Sequence, residues 1–326
     1  MKYFLTGATG FVGGVVARQL REAGHEVIAV VRTPAKAKNL TDMGVVLHKG
    51  DVTDKESMRA PMQGVDGVFH IAAWYKVGVR DTTPGEQVNV QGTRNVLELM
   101  KESGIPKGVY TSSLAVNSDT GGKMVDESYR FTGKHLSVYD RTKAEAHHIA
   151  DEFIAAGLPL VILMPGLIYG PNDSSQLGKF FHDFLRGKAQ PIPQKTGYCW
   201  AHVDDIAWAH IAAMEKSKPG ETYIIAGQPY TFIEGMQIAH EITGKPAPRS
   251  LPSGMLRMMS GLMGVVEKVF PVEGTYSSEA LRALAGTTYL GDNSKAKREL
   301  GYDPRPLREG LAKTLAYEMK KMGATS

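Results

Sequence analysis

Residues 2–13 read KYFLTGATGFVG, a short apolar strand that leads into three glycines at the start of a helical pattern. Gly7 permits a tight turn, Gly10 lets the backbone approach a phosphate, and Gly13 allows close packing of helix on strand. The free N–H groups of a helix N-terminus also favour anions. The stretch therefore predicts a dinucleotide site, formed by Thr6, Gly7, Thr9, Gly10, Phe11, Val12 and Gly13.

Short β-branched runs alternate with helical patterns over the first two thirds of the chain. The run Glu26–Val31 is almost continuously apolar, as expected for a strand of a sheet that is buried on both faces. Such alternation predicts an α/β fold with a doubly wound parallel sheet. Strands are predicted at Lys2–Leu5, Glu26–Val31, Val45–His48, Gly67–Ile71, Gly108–Thr111 and Leu160–Met164, and helices at Phe11–Ala23, Val88–Ser103 and Tyr139–Ala156.

The pattern changes after about Pro171. We predict a nucleotide-binding domain over residues 1–170 and a smaller C-terminal α/β substrate lobe over residues 171–326, with residues 200–230 returning to the core of the first domain. The lobe is expected to lie over the carboxyl edge of the sheet, where ligands of such folds bind. Its predicted elements are the helices Asp204–Lys216, Thr231–Thr243 and Pro306–Lys320 and the strand Thr222–Ala226.

Composition excludes several classes of protein. The chain has 326 residues and a net charge of +4, which is too small and too diffuse to indicate a nucleic-acid partner. Its one cysteine, Cys199, excludes an internal disulfide or a multi-cysteine zinc site, and we predict no metal site. The longest apolar stretch, Leu158–Tyr169, is shorter than a bilayer span of about 20 residues. These features favour a cytoplasmic protein without an integral membrane segment.

The end of the second predicted strand is basic. Arg32 ends that strand and Lys36 follows it, with no acidic residue at the strand end. A carboxylate there would bind the ribose hydroxyls of NAD, whereas an arginine accommodates the 2′-phosphate of NADP. We therefore predict NADP, with NAD as the alternative. Asp51, after the third strand, is either an adenine contact or a turn residue.

A second group of residues indicates acid–base chemistry. Tyr139 and Lys143 are four residues apart at the start of a predicted helix, so both side chains lie on the same face of that helix. A nearby cation favours phenolate, and the spacing therefore predicts a lowered pKa for Tyr139. Serines 112 and 113 directly follow the strand Gly108–Thr111, where a hydroxyl is able to hold a substrate carbonyl oxygen. The set predicts hydride transfer with Tyr139 moving the proton.

With these motifs, the chain resembles the extended short-chain dehydrogenase/reductase superfamily from Lys2 to about Lys320. The resemblance implies a Rossmann fold. It also implies a homodimer whose interface is formed by the helices Val88–Ser103 and Tyr139–Ala156. The matching segments are Thr6–Gly13, Gly50–Val52, His70–Ala73, Asn89–Asn95, Thr111–Ser113, Tyr139–Lys143, Pro165–Pro171 and His202–Asp205.

The resemblance also implies roles for individual residues. Ser113, which is followed by Leu-Ala-Val as in the family pattern, would orient the substrate, Tyr139 would be the acid/base, and Lys143 would bind ribose and tune the tyrosine. Asn89 would support the helix that carries this pair. Further coenzyme contacts implied by the matching segments are Val52, Ile71, Ala72, Ala73, Thr111, Pro165, Gly166 and Ile168.

The branch of the superfamily is less sharply marked. The segments around His70 and Trp200 are similar to the dihydroflavonol 4-reductase and hydroxysteroid dehydrogenase-like branch. Nucleotide-sugar epimerases and dehydratases often place a diphosphate-binding arginine where this chain has Tyr198. We therefore expect an NADP-dependent oxidoreductase that acts on a fairly apolar cyclic or aromatic ketone or alcohol. The alternatives are an epimerase or dehydratase with tightly bound NAD, and a non-catalytic NADP sensor.

Candidate substrate residues follow from position. Trp74 and Tyr75 come after the strand Gly67–Ile71, where aromatic rings are able to stack on a small-molecule substrate or pack between lobes. Tyr198 and Ser113 complete the predicted set. The Met-rich stretch 255–263 is either a lid, a core helix or a partner surface.

Overall fold

A computed structural model describes residues 1–323, and short strands form most of its framework. In chain order the strands are β1 (Lys2–Thr6), β2 (Glu26–Val31), β3 (Val46–Lys49), β4 (Gly67–His70), β5 (Gly108–Thr111), β6 (Leu160–Pro165), β7 (Leu167–Tyr169), β8 (Ile192–Pro193), β9 (Gly197–His202), β10 (Thr222–Ile225), β11 (Pro229–Thr231), β12 (Ser250–Leu251) and β13 (Thr288–Tyr289).

The helices complete the framework, and most of them join two strands. They are α1 (Phe11–Glu22), α2 (Lys38–Asp42), α3 (Lys55–Arg59), α4 (Gly92–Glu102), α5 (Val138–Ala155), α6 (Gln176–Leu185), α7 (Val203–Lys216), α8 (Phe232–Thr243), α9 (Ser253–Val266), α10 (Ser278–Ala283), α11 (Ser294–Leu300) and α12 (Leu307–Lys321).

The central sheet has seven parallel strands in the order β3-β2-β1-β4-β5-β6-β10. The strand order reverses direction between β1 and β4, and a ligand crevice opens at such a point outside the carboxyl ends of the strands. The predicted doubly wound α/β fold is therefore confirmed. All the predicted strands of this sheet are present, each within about one residue of its expected bounds.

Helices cover both faces of the sheet because its strands are apolar on both sides. Val16 and Leu20 of α1 and Ala209 of α7 belong to the hydrophobic core of one face. Leu97 of α4 and Ile149 of α5 belong to the core of the other face. Truncation of a buried leucine such as Leu20 to alanine typically costs about 2–5 kcal/mol.

A second, smaller group of elements lies beyond β6. Strand β9 pairs with β7, β11 and β13, and the helices α6, α8 and α12 pack around Trp200 of β9. Between these elements, α7 and β10 return to the central sheet. The helix α9 packs on α10 through Leu256 and Leu281.

One predicted helix differs in kind. The helix expected over Val88–Ser103 begins earlier, as a π-helical segment at Gly85–Gln91, and becomes α-helical only at Gly92. Apolar spacing marks the buried face but does not distinguish a π-helical turn from an α-helical one. Such π-helical turns frequently occur at functional sites. Here it places Asn89 in the interior, where it is 1% exposed.

Candidate active site

The glycine turn is closely packed at the end of β1. Gly7 has φ +77°, and a Cβ atom there would lie 2.7 Å from the Ala72 nitrogen. A Cβ on Gly13 would lie 2.2 Å from the Gly7 carbonyl oxygen, so α1 sits directly on the turn. Gly10 is the N-cap of α1 and carries no capping side chain, which leaves the first helical N–H groups available to an anion.

The predicted coenzyme residues lie at one edge of the sheet because parallel strands share their carboxyl ends. Arg32 follows β2, Asp51 and Val52 follow β3, and residues 71–73 follow β4. Pro165 ends β6, Gly166 connects it to β7, and Ile168 lies in β7. The Asp51 carboxylate accepts hydrogen bonds from the backbone N–H and the hydroxyl of Thr53, each at 2.9 Å, as in a turn.

The basic residues after β2 differ in their partners. Lys38 pairs with Asp42 at 2.6 Å, four residues along the same helix. Arg32 and Lys36 are exposed and make no ion pair within residues 1–323. Both side chains are therefore available to an anionic group at the end of β2.

Three hydroxyl groups leave the end of β5 in different directions. Thr111 contacts His210 of α7 at 2.8 Å, and Ser112 contacts His147 of α5 at 2.7 Å. Ser113 accepts a hydrogen bond from the backbone N–H of Ala115 at 3.1 Å, and its side chain lies next to Tyr139. Of Ser112 and Ser113, therefore, Ser113 is the one whose side chain lies next to Tyr139.

Tyr139 and Lys143 lie in the first two turns of α5, as their spacing predicts. Ser137 caps this helix by accepting from the Asp140 N–H at 3.0 Å, which fixes where the helix begins. Lys143 is 2% exposed, and its Nζ donates to the Thr111 carbonyl oxygen at 2.7 Å and the Tyr110 hydroxyl at 3.0 Å. Burial lowers the pKa of Lys143 to about 7.

The expected pKa direction for Tyr139 is wrong for this structure. Burial raises the pKa of the phenol, and the neighbouring Ser113 hydroxyl opposes the rise. The physical reason is the placement of Lys143, whose two hydrogen-bond partners are Thr111 and Tyr110 instead of Tyr139. In this state Tyr139 is a neutral phenol, which is a proton donor.

Asn89 joins three segments around the tyrosine helix. Its side-chain oxygen accepts from the Trp74 N–H at 2.8 Å, and its nitrogen donates to the Trp74 carbonyl oxygen at 2.9 Å and to the Thr142 hydroxyl at 2.9 Å. The loop after β4 is therefore tied to α5. Trp74 is 9% exposed and packs on Gly85, whereas Tyr75 is 55% exposed.

An aromatic pair stands beside the start of α5. The rings of Tyr198 and Tyr289 are parallel within 5°, with centroids 5.7 Å apart. The Tyr289 hydroxyl donates to the Asp140 carboxylate at 3.2 Å. Tyr198 is thus part of a stacked pair next to the tyrosine helix.

The family assignment follows from comparison with known proteins. Residues 3–226 match the NAD dependent epimerase/dehydratase family. The chain belongs to this family. It is an extended short-chain dehydrogenase/reductase, and its relatives named as reductases and dehydrogenases make it an oxidoreductase.

The similarity to relatives extends over almost the whole chain. A Synechocystis sp. protein named as a candidate dihydroflavonol 4-reductase is 33% identical, over 95% of this chain and 92% of its own. Sterol demethylase protein B of Methylococcus capsulatus is 29% identical, over 97% of this chain and 98% of its own. The crystal structure of gox2253 superposes with a TM-score of 0.86 at 30% identity and covers 99% of both chains.

The described residues of this epimerase/dehydratase family member fit a dinucleotide. A side chain at Gly7 would collide with the backbone of Ala72 and one at Gly13 with the Gly7 carbonyl, so only glycines keep the turn this tight, and Gly10 leaves the helix N-terminus open. The family is named for NAD, and the choice between NAD and NADP is a separate question. Over residues 1–323, no helix is both long enough and apolar enough to cross a bilayer.

Sequence reasoning missed several residues around the site of this family member. Tyr110 contacts Lys143, Tyr289 stacks on Tyr198, and Glu279 binds the backbone just before Tyr139. Of these three residues, only Tyr110 lies beside a motif that the sequence marks, because it directly precedes Thr111-Ser112-Ser113. Tyr289 and Glu279 lie far along the chain, and only the tertiary fold brings them to α5.

Proposed function

We propose that the protein is an NADP-dependent oxidoreductase that reduces a ketone, or oxidises a secondary alcohol, on a fairly apolar cyclic or aromatic substrate. The observation that carries the proposal is that Ser113, at the carboxyl edge of β5, lies next to Tyr139, with Lys143 buried one turn further along α5. Ser113 orients the substrate oxygen and Tyr139 is the acid/base.

The proposed chemistry uses three side chains. In reduction, the hydroxyls of Ser113 and Tyr139 hold the carbonyl oxygen, and Tyr139 gives its proton to the oxygen as negative charge develops. The Lys143 ammonium stabilises the phenolate that remains, because an opposite charge nearby favours an ionised group. A bound nicotinamide supplies the hydride, or accepts it in the reverse direction.

An apolar substrate is supported by what surrounds Tyr139. Tyr198 occupies the position where sugar-nucleotide enzymes often carry an arginine, and here it stacks on Tyr289. Aromatic side chains bind flat apolar rings through their faces. The names of two relatives refer to a dihydroflavonol and a sterol, and both are largely apolar ring compounds. Trp74 and Tyr75 are the other proposed substrate contacts.

NADP is supported by the two exposed cations after β2. Arg32 and Lys36 have no ion-pair partner within the described chain, whereas Lys38 is held by Asp42. A guanidinium at this strand end suits a 2′-phosphate. The homodimer through α4 and α5, the boundary at residue 170 and a cytoplasmic location remain predictions.

The test is turnover by the purified protein. We expect NADPH oxidation with cyclic or aromatic ketones and none with UDP-sugars, and the Tyr139→Phe variant should lose about 10²–10⁴-fold in kcat while binding NADPH normally. The matched control is Tyr223→Phe, which removes the hydroxyl of another buried tyrosine, one that bonds to Glu299 at 2.9 Å.

Two results would overturn the proposal. Epimerisation or dehydration of a nucleotide sugar, with NAD that copurifies, would assign the protein to the epimerase alternative. Tight NADPH binding without turnover of any ketone, together with full cellular function of the Tyr139→Phe variant, would favour the sensor.

A further inference from the structure

A row of buried polar side chains runs beneath the site, from β1 to Lys143. Its members are Thr6 at the end of β1, His70 at the end of β4, Thr93 in α4 and Tyr110 in β5. Each is at most 1% exposed. We call this set the polar row. Thr6 is one of the predicted coenzyme residues, and none of the four is among the proposed catalytic or substrate residues.

The hydrogen-bond direction is fixed at the Thr6 end. The Thr6 hydroxyl oxygen accepts from the backbone N–H groups of Ile71 and Ala72, both at 3.1 Å. Its own proton is therefore given to His70 Nδ1, which lies 2.8 Å away. The neutral His70 ring must then carry its proton on Nε2, and it donates to the Thr93 hydroxyl at 3.0 Å.

The other end of the polar row holds Lys143. Tyr110 stacks on His70 with ring centroids 5.4 Å apart, and the Thr93 hydroxyl lies near the Tyr110 hydroxyl. Its hydroxyl accepts from Lys143 Nζ at 3.0 Å, and the ammonium lies 4.7 Å from the ring centroid. Burial raises the pKa of Tyr110, so the tyrosine meets the ammonium as a neutral oxygen and an aromatic face.

The surroundings of Lys143 make this contact important. Within residues 1–323 no carboxylate pairs with it, and its two hydrogen-bond acceptors are the Thr111 carbonyl and Tyr110. The titratable groups near it are His147 on α5, Tyr110 on β5 and His70 on β4, and Tyr139 lies four residues before it on the same helix. Burial lowers the pKa of His70 to about 3, and the Lys143 charge acts in the same direction. His70 is therefore neutral at physiological pH and adds no positive charge.

We propose that Tyr110, held in place by Thr93, His70 and Thr6, is a positioning residue that orients the Lys143 side chain and favours its protonated form. This inference rests on the proposed function only for the catalytic consequence, because the protonation of Lys143 is measurable without any reaction. The polar row links the glycine turn to the acid–base pair, since Thr6 also holds the backbone of residues 71 and 72.

The primary experiment follows Lys143 directly in the full chain. The protein is labelled with ¹³C at lysine Cε, and the Lys143 signal, assigned by its loss in Lys143→Met, is titrated by NMR between pH 5 and 10. In Tyr110→Phe the ammonium loses one of two acceptors, so we expect its midpoint to fall by about one pH unit.

The control is Tyr223→Phe, in which a buried tyrosine whose ring centroid lies 4.8 Å from Lys295 Nζ loses its hydroxyl. The Lys143 midpoint should not move in this variant. An unchanged midpoint in Tyr110→Phe would overturn the proposal, whether or not the enzyme reduces ketones.

A second pair of variants keeps the test decisive if Tyr110→Phe folds poorly. Thr93→Val breaks the polar row between His70 and Tyr110 and should lower the Lys143 midpoint, whereas Thr93→Ser keeps the hydroxyl and should restore it. In kinetics, the alkaline limb of kcat/KM should move to lower pH with the NMR midpoint. Equal midpoints in Thr93→Val and Thr93→Ser would contradict a role for the polar row.

Discussion

Asp140 is a buried carboxyl group directly after the proposed acid/base. It is 3% exposed, and burial raises its pKa to about 6, with hydrogen bonds from Ser137 and Tyr289 opposing the rise and Glu279 adding to it. A carboxyl group with a folded-state pKa above its unfolded value of about 3.9 stabilises the fold when it is protonated. Its contribution is complete below about pH 4 and is lost as the pH rises through about 6.

Asp140→Asn should therefore stabilise the protein at neutral pH. The neutral amide removes the cost of a buried carboxylate, and we expect a gain of about 1–3 kcal/mol at pH 7 that disappears near pH 4. Urea unfolding at both values measures it. The exposed Asp81→Asn is the control and should show no such pH dependence. A gain of equal size at pH 4 and pH 7 would show that ionisation of Asp140 is not its cause.

A substitution of Arg32 tests the preference for NADP over NAD. Arg32→Ala should raise the KM for NADPH by about tenfold or more and leave that for NADH nearly unchanged, because a charge-assisted contact to a 2′-phosphate is lost. Steady-state kinetics with both coenzymes measure the ratio. Lys38→Ala is the matched control, since Lys38 is already paired with Asp42. An equal loss for both coenzymes would contradict the assignment to the 2′-phosphate.

At the scale of elements, α1 and its glycine turn show why two neighbouring glycines differ. A Cβ on Gly13 would lie 2.2 Å from the Gly7 carbonyl oxygen, whereas on Gly14 it would lie 3.4 Å from that of Ala8, which is ordinary contact. The first separation forces the helix away from the turn. The second costs nothing and removes a flexible residue from a helix.

Gly13→Ala should therefore unfold at a lower temperature and lose NADPH binding, whereas Gly14→Ala should keep both or gain up to about 1 kcal/mol in stability. Thermal unfolding with and without NADPH, and fluorescence titration of NADPH, measure the two effects. Equal behaviour of the two variants would argue against close packing of α1 on the turn.

The sequence predicts the elements of the central sheet better than those beyond it. Strands such as β2 and β6 are continuous apolar runs, and local composition alone marks them. Strand β13 has two residues, Thr288 and Tyr289, and exists because it pairs with β9, about 90 residues away in the chain. Likewise, Ser113, Tyr139 and Lys143 were predicted from spacing and resemblance, whereas Tyr289 is placed at the site by tertiary packing.

At the scale of the whole molecule, one carboxylate fastens the C-terminal elements over the site. Glu279 of α10 accepts from the Gly78 N–H at 2.7 Å and from the Val138 N–H at 2.6 Å. It thereby joins the loop after β4, the start of α5 and α10. The Gly274 N–H also donates to the Gly78 carbonyl oxygen at 2.6 Å, so the loop is held from both sides.

Glu279→Gln should loosen this attachment, because an amide nitrogen cannot accept the second N–H. We expect a stability loss of about 1–3 kcal/mol and a higher KM for the ketone, with kcat less affected. Urea unfolding and steady-state kinetics test both. Glu273→Gln is the control, because the Glu273 carboxylate accepts from the exposed Arg80 N–H at 3.1 Å and has no other hydrogen bond within residues 1–323. A fall in kcat with an unchanged KM would contradict a role in holding the loop.

The position of β10 at the edge of the central sheet has a consequence for synthesis. Its residues pair with β6, where Thr222 lies opposite Ile162, about 60 residues earlier in the chain. At about 5–20 residues per second, β6 leaves the ribosome roughly 3–12 s before its outer neighbour exists. During that interval the apolar run Leu160–Pro165 presents an open strand edge, which is a template for aggregation. Chaperone demand should therefore peak for nascent chains that end between β6 and β10.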